Sequence, residues 1–377
     1  MSPARQKAGA GRRDDTAALL RDFDAGRRAA LARVISIVEN QRAGFDAVMQ
    51  ELHPRTGRAH RIGLTGPPGA GKSTLSSVLV QHYRANGETV GVIAVDPTSP
   101  YTGGALLGDR IRMNELALDE GVFIRSMATR GSLGGLALTT KEIADVLDAF
   151  GFDRVVVETV GVGQSELDIA AASDAAVVIL VPESGDSVQA MKAGLLEAAD
   201  LFVVNKADRP GAERMARELS MMLHFRHGRT LRNVPAHHGV DLRKAAPKDA
   251  RTGAADKADR ADAADGAEAP AEWEIPVLQT VAQTGKGIED LAAALDRHRA
   301  WSMETGELTR RRRKRLEERV REQVERAIRV RAWHEGPGQQ LLADAIDAME
   351  RGERSPYEVA NRVLAAVCAD PGAQSES

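Results

Sequence analysis

A doubly wound α/β fold on a mostly parallel sheet is the class that this sequence predicts. Three observations predict it. Short Val/Ile/Leu runs alternate with stretches of helical periodicity. Most of those runs are apolar at successive residues rather than at every second one, as expected of strands covered on both faces. The run Ile62-Gly63-Leu64-Thr65 feeds a Gly-rich segment, and Leu75, Val78, Leu79 and Tyr83 then recur at helix spacing.

The elements follow in order. Residues 1–15 read as a flexible tail. No apolar segment follows, unlike a secretory signal; Arg5, Lys7, Arg12 and Arg13 leave a mitochondrial presequence as the alternative, against which Asp14 and Asp15 arrive early and favour a tail. Residues 16–55 read as an N-terminal helical extension, with Leu19, Leu20, Phe23, Ala30, Leu31, Val34, Ile35 and Val38 at helical spacing. Residues 56–300 hold the α/β domain. Strands are expected at 61–65, Val90–Val95, Arg154–Thr159, Ala175–Val181, Leu201–Asn205 and Pro276–Thr280. Helices are expected near 134–149, 187–198, 210–222 and 287–299. Such alternation implies a parallel sheet with ligand beyond the carboxyl ends of the strands. Between 225 and 272 the pattern stops. Lys248–Ala271 is mostly Ala, Asp, Lys, Arg and Gly, so a disordered surface insertion is expected.

Residues 301–377 read as a C-terminal helical arm, with helices near 306–333, 338–350 and 355–368. In the first, Leu316, Val320, Val324 and Ile328 form a thin stripe that suits a partner better than a core. Every residue from Arg310 to Arg315 is basic, and the simplest reading is a solvated helix face; contact with an acidic protein surface, and after it with nucleic acid, are the alternatives.

Composition narrows the function. The chain has 377 residues and a net charge of −3, which excludes a general affinity for nucleic acid. No apolar run approaches the length that spans a bilayer. The single Cys368 forms no internal disulfide and reads as a small buried hydrophobe, in keeping with a reducing cytoplasmic setting. Trp273, Trp301 and Trp333 read as packing residues. His237 and His238 adjoin, but no second ligand cluster accompanies them.

The chemistry is carried by Gly66-Pro67-Pro68-Gly69-Ala70-Gly71-Lys72-Ser73, which fits G-x-x-x-x-G-K-[ST] throughout. Glycines let backbone N–H groups converge on an anion, and a helix N-terminus adds partial positive charge. Lys72 suits the β- and γ-phosphates, and the Ser73 hydroxyl suits Mg²⁺. The expected class is therefore a P-loop NTPase.

Asn205-Lys206-Ala207-Asp208 follows an apolar strand and fits N-K-x-D. Guanine offers a ring N–H and an exocyclic amino group, and one carboxylate, Asp208, accepts from both. Adenine presents a bare lone pair there. Asn205 and Lys206 are expected to brace the loop and base, and Gly285-Lys286-Gly287-Ile288 suits a second loop around it. In Val155-Val156-Val157-Glu158-Thr159-Val160-Gly161-Val162-Gly163-Gln164, an acidic residue ends a buried strand before a Gly-rich loop. Glu158 there can hold Mg²⁺ or orient the attacking water. Asp96 ends another strand and Asp109 stands in Gly108-Asp109-Arg110; with Ser73, one or two of these carboxylates would complete an oxygen shell for Mg²⁺.

On these motifs the chain resembles the MeaB/ArgK/MMAA family of GTPases. The matching stretches are Thr65–Thr74, Ala94–Ser99, Thr102–Arg110, Arg130–Gly135, Glu158–Glu166 and Asn205–Asp208. The likeness is strong over about residues 20 to 222 and looser beyond. It implies a Mg²⁺-dependent GTPase that binds GTP and GDP. It also implies a chaperone for an adenosylcobalamin-dependent acyl-CoA mutase, typically methylmalonyl-CoA mutase, that gates cofactor loading and protects or reactivates the mutase. By resemblance, Asp96 and Asp109 are Mg²⁺-associated switch residues and Glu158 belongs to the next switch. Gly185–Lys192 is similar to a third switch, in which Asp186 and Lys192 respond to the mutase and bear on hydrolysis. The region after Trp301 resembles a dimerisation arm, implying a homodimer.

Two departures stand out. Val281-Ala282 occupies the place where the family carries Ser-Ala beside the base, so Ala282 remains and a hydroxyl is lost. The segment 225–272 is longer and more polar than the family's. The chain has no Asp-x-His-x-x-Gly motif, so it is not expected to carry cobalamin itself. Two rival readings are a nickel-type metal-insertion GTPase, which needs a Cys/His cluster near the switches, and a P-loop kinase or ATPase, which would prefer ATP and has no use for Asn205–Asp208.

Overall fold

Strand β1 (His60–Thr65) is buried at every residue, because its Ile62 and Leu64 face one layer of helices while its other side faces a second. The computed structural model describes residues 15–97, 116–129, 135–159, 169, 171–184, 197–226 and 272–368. N-terminal helices α1 (residues 15–24), α2 (Arg28–Glu39) and α3 (Phe45–Leu52) precede β1. The extension expected to be helical from 16 to 55 breaks near Gly26 and Gly44, which adopt φ of 73° and 97°. After β1 come α4 (Lys72–Ala85), β2 (Val90–Pro97), β3 (Val122–Thr129), α5 (Gly135–Phe150), β4 (Arg154–Glu158), β5 (Ala175–Leu180) and β6 (Leu201–Val204). Then follow α6 (Ala212–Arg226), β7 (Val277–Gln279), α7 (Ile288–Glu304), α8 (Glu307–Val330), α9 (Gly338–Glu350) and α10 (Pro356–Cys368).

The seven strands are ordered β3-β2-β4-β1-β5-β6-β7, and each described pairing is parallel. The predicted doubly wound sheet is therefore present. β3 was not expected: Arg125 and Ser126 interrupt its apolar run, and its place at the sheet edge leaves most of it only half-buried. On one face, Val156, Val177, Ile179 and Val203 pack on α4 and α7 through Leu75, Leu79, Leu291 and Leu295. On the other, Ile93, Val155 and Val157 meet Ile143 and Leu147 of α5, with Leu31, Val34, Ile35 and Val38 of α2 behind. Alternate residues of one strand thus enter different cores, which is why the strand must be apolar throughout.

Helix α8 buries none of its residues. It crosses the amino-terminal edge of the sheet and is held there by charge. Arg311 pairs with Asp200, Arg312 and Arg315 with Asp174, Arg319 with Asp145, and Glu322 with Lys141. The basic run is thus not simply a solvated face: Arg311, Arg312 and Arg315 turn inward to acids of the sheet edge, while Arg313 and Lys314 face solvent. The stripe Leu316, Val320, Val324 and Ile328 lies exposed on the outer side. Cys368 is exposed, contrary to expectation. Val359, Val363 and Val367 are the inward residues of α10, and the position after Val367 turns away. Trp273 and Trp301 pack around His298, whereas Trp333 is half-exposed. No helix among the described residues is long and apolar enough to cross a membrane.

Candidate nucleotide site

Thr65, Glu158 and Val204 end neighbouring or near-neighbouring parallel strands, so the loops that follow them emerge at one end of the sheet. The loop after β1 turns at Gly66, where φ is 141° and a Cβ would lie 2.0 Å from the Ile179 carbonyl oxygen. Only glycine fits there. Pro67, Pro68 and Gly69 form the outer turn, with Ala70 N–H donating to the Pro67 carbonyl at 3.3 Å. Gly71 then caps α4 in the left-handed region, and a Cβ on it would meet Asn205 Nδ2 at 2.4 Å. Helix α4 begins at Lys72, so its first N–H groups face into this loop. The buried Lys72 ammonium donates to the carbonyls of Gly66 at 2.9 Å and Pro67 at 3.0 Å.

Ser73, also buried, donates its hydroxyl proton to Glu158 Oε1 at 2.5 Å. The sheet register creates this contact. Glu158 stands opposite Leu64 of β1, and α4 starts directly above. A hydroxyl beside a carboxylate is an all-oxygen pair of hard donors, which fits Mg²⁺ and does not suit softer metals. Among the described residues no three His, Cys, Asp or Glu side chains converge, so phosphate oxygens and water would supply the rest of an octahedral shell.

The loop after β6 is built around Asn205. Its Nδ2 donates to the Ala70 carbonyl at 2.8 Å. Its Oδ1 accepts from Thr280 Oγ1 and from Ala282 N–H, both at 3.1 Å. Lys206, at a positive φ of 55°, donates to the Gly69 carbonyl at 2.8 Å. One side chain therefore ties the phosphate loop to the loop after β7. Gly71, Thr74, Asn205, Asp208, Val281 and Ala282 line the cleft between them, with the exposed Asp208 at its wall. Thr280 was not foreseen as part of this network; its signal was its place directly before the loop facing the expected base.

The sequence profile of the family described as "Methylmalonyl Co-A mutase-associated GTPase MeaB" matches residues 31–336. The chain belongs to this family. It is a P-loop GTPase. A Pyrococcus horikoshii relative that carries a GTPase name is 42% identical over 346 residues, covering 92% of this chain and 96% of the relative. A mouse protein named "Methylmalonic aciduria type A homolog, mitochondrial" is 41% identical over 197 residues, 48% of each chain. The crystal structure of a protein named LAO/AO transport system kinase superposes with a TM-score of 0.61 at 25% identity, covering 93% of this chain and 96% of that one.

Other positions expected to matter in this MeaB-family chain fall less fully within the described residues. Asp96 is the penultimate residue of β2, two residues past Ala94, the register partner of Glu158, so its backbone lies at the same sheet end. Its side chain lies outside the described residues, as do Asp109, Asp186 and Lys192. The His237-His238 pair and residues 227–271 also lie outside.

Proposed function

We propose that this chain is a Mg²⁺-dependent GTPase that serves as chaperone to an adenosylcobalamin-dependent acyl-CoA mutase, with methylmalonyl-CoA mutase as the first candidate. The observation that carries the reading is the family match over residues 31–336, which takes in the phosphate loop, Glu158 and Asn205–Asp208 together. The name of the mouse relative supports the same class of partner.

Catalysis is positional. Lys72 leaves the Gly66 and Pro67 carbonyls for the β- and γ-phosphates of GTP. Ser73 and Glu158 hold Mg²⁺, with Asp96 and Asp109 as further carboxylates. Bound there, Mg²⁺ offsets charge on the phosphates. Glu158 also orients the attacking water. Asp208 accepts from the guanine ring N–H and amino group, and Asn205, Lys206 and the Ala282 loop brace it. Asp186 and Lys192 link the mutase contact to hydrolysis. The chain acts in the cytoplasm as a homodimer joined through its arm, and the corrinoid stays on the mutase.

The test is co-purification with methylmalonyl-CoA mutase in GDP and in a non-hydrolysable GTP analogue. The expected result is a complex whose affinity depends on the nucleotide, with GTP turnover raised by the mutase and abolished by Lys72→Ala. A mutase that neither binds nor changes turnover overturns the reading.

A further inference from the structure

The two strands that carry the phosphate loop and the Glu158 loop finish in threonines that touch. Thr65 is the last residue of β1, and Thr159 follows Glu158 at the end of β4. Their side chains are fully buried, at 0% and 2% exposure. Thr159 N–H donates to the Leu64 carbonyl at 3.1 Å, which carries the parallel ladder one residue past Glu158. The Thr159 hydroxyl lies 3.3 Å from the Thr65 hydroxyl and 3.5 Å from the Leu64 carbonyl oxygen. Just beyond Thr65 the chain turns away at Gly66. The hydroxyl pair is thus a cross-link at the fork where two functional loops part.

The fork has a second cross-link, from Ser73 to Glu158. A carboxylate at a strand end is only as well placed as the backbone beneath it. The Leu64 carbonyl, accepting from Thr159 N–H, fixes that backbone from one side. The hydroxyl pair adds a side-chain restraint at the residue directly after the carboxylate. Buried hydroxyls are costly unless partnered, so a pair of them here asks for a reason that a valine pair of the same shape would not supply.

We propose that Thr65 and Thr159 form a buried brace that positions the Glu158 carboxylate on the Ser73 hydroxyl for GTP hydrolysis. Both are positioning residues, since their hydroxyls are buried against each other. The proposal rests on the reading that Ser73 and Glu158 serve the nucleotide and its Mg²⁺. Groups behind a metal-binding side chain commonly change metal affinity or activity by about 10–100-fold when removed.

The test is steady-state GTP turnover by the full chain at varied Mg²⁺, comparing Thr159→Val, Thr65→Val, the double variant, Thr159→Ser and Glu158→Gln. Each valine variant is expected to lower kcat by about tenfold or more and to raise the Mg²⁺ concentration for half activation, with KM for GTP unchanged. Thr159→Ser should restore both. The double variant should be no worse than the poorer single variant, because all three remove the same hydroxyl–hydroxyl contact. Thermal unfolding verifies that each variant is folded, and if Thr159→Val does not fold, Thr65→Val tests the same contact. Valine variants with wild-type kcat and Mg²⁺ response overturn the brace, as do additive losses or a loss that serine does not restore. Wild-type turnover by Glu158→Gln instead overturns the reading of the site beneath it.

Discussion

Asp200 and Arg311 meet fork to fork, with Arg311 Nη1 2.8 Å from Oδ2 and Nη2 2.7 Å from Oδ1. Asp200 also accepts from the Ala176 N–H at 2.9 Å, and His298 Nε2 stands 3.2 Å away. Burial alone would raise the Asp200 carboxyl, but His298 and Arg311 outweigh it and hold the group down to about 2. Asp174, beside it at the start of β5, is treated alike: burial raises it, and Arg315, Arg312 and Arg61 hold it well below the usual carboxylate range. A helix that buries no residue of its own is thus seated by ions, at the end of the sheet opposite the nucleotide loops.

Arg311→Ala is therefore expected to destabilise the protein by about 3 kcal/mol, because it leaves a buried carboxylate short of its partner. Arg313→Ala, at an exposed pair, should cost less than about 0.5 kcal/mol. Urea denaturation of both variants checks the contrast. The pH dependence has a definite sign. Asp200 is depressed in the folded state, so its contribution is present above the unfolded carboxylate value near 4 and is lost as pH falls toward about 2. The gap between Arg311→Ala and wild type should shrink across that window.

Glu142 behaves in the opposite way. It lies fully buried on α5, where Gln323 of α8 donates to its Oε1 at 2.8 Å and Arg326 stands 3.8 Å away. Burial pushes its carboxyl up to about 7 despite Arg326 and Gln323. A raised folded value means stability fully present below the unfolded value near 4.5 and lost as pH climbs through 7. Wild type should lose up to about 3 kcal/mol between pH 4.5 and 8 relative to Glu142→Gln, which keeps the shape without the titration. Unfolding midpoints of the two proteins across that range decide it; parallel curves would refute the assignment.

At the phosphate loop, steric fit gives a sharper contrast. A Cβ at Gly66 would lie 2.0 Å from the Ile179 carbonyl oxygen, whereas one at Gly69 meets nothing within 4 Å. Both residues have positive φ. Gly66→Ala is expected to abolish GDP binding, because backbone must move beneath the loop. Gly69→Ala should cost only about 1–2 kcal/mol, the penalty of a left-handed alanine. Calorimetry with GDP and Mg²⁺ separates the two.

Much of the sheet was legible because strands buried on both faces cannot hide: Val155–Val157 and Ala175–Leu180 admit no polar residue. Edge strand β3 was not, since Arg125 and Ser126 are permitted where one side is wet. The phosphate loop and Asn205–Asp208 were legible because their backbone geometry and hydrogen-bonding demands leave few residue choices. The ions under α8 were not. Nothing local in Arg311 or Arg315 points to Asp200 or Asp174, more than a hundred residues earlier in the chain. Helical periodicity did mark an apolar side for α10, but Cys368 adjoins the inward Val367 and falls one step off that side.

Asn205 provides the last and most direct test of how the two ends of the nucleotide cleft are joined. Its amide spends one donor on Ala70 and its oxygen on Thr280 and Ala282. Truncation to Ala would strand a buried carbonyl, a hydroxyl and an N–H together, each at a cost of about 1–3 kcal/mol when unpaired. The phosphate loop and the loop after β7 would then lose their common tether. Asn205→Ala is expected to weaken GDP binding by about 100-fold, the effect of roughly 2.7 kcal/mol. The loss should extend to a nucleotide with hypoxanthine in place of guanine, since the tether serves the loops and not the 2-amino group. Asp208→Asn differs: it should weaken guanine and spare hypoxanthine more, because in the proposed reading the carboxylate accepts from that amino group. Titrations of both variants with GDP and IDP check the pattern, and an Asn205→Ala chain that binds GDP like wild type would show that the two loops are held by other contacts.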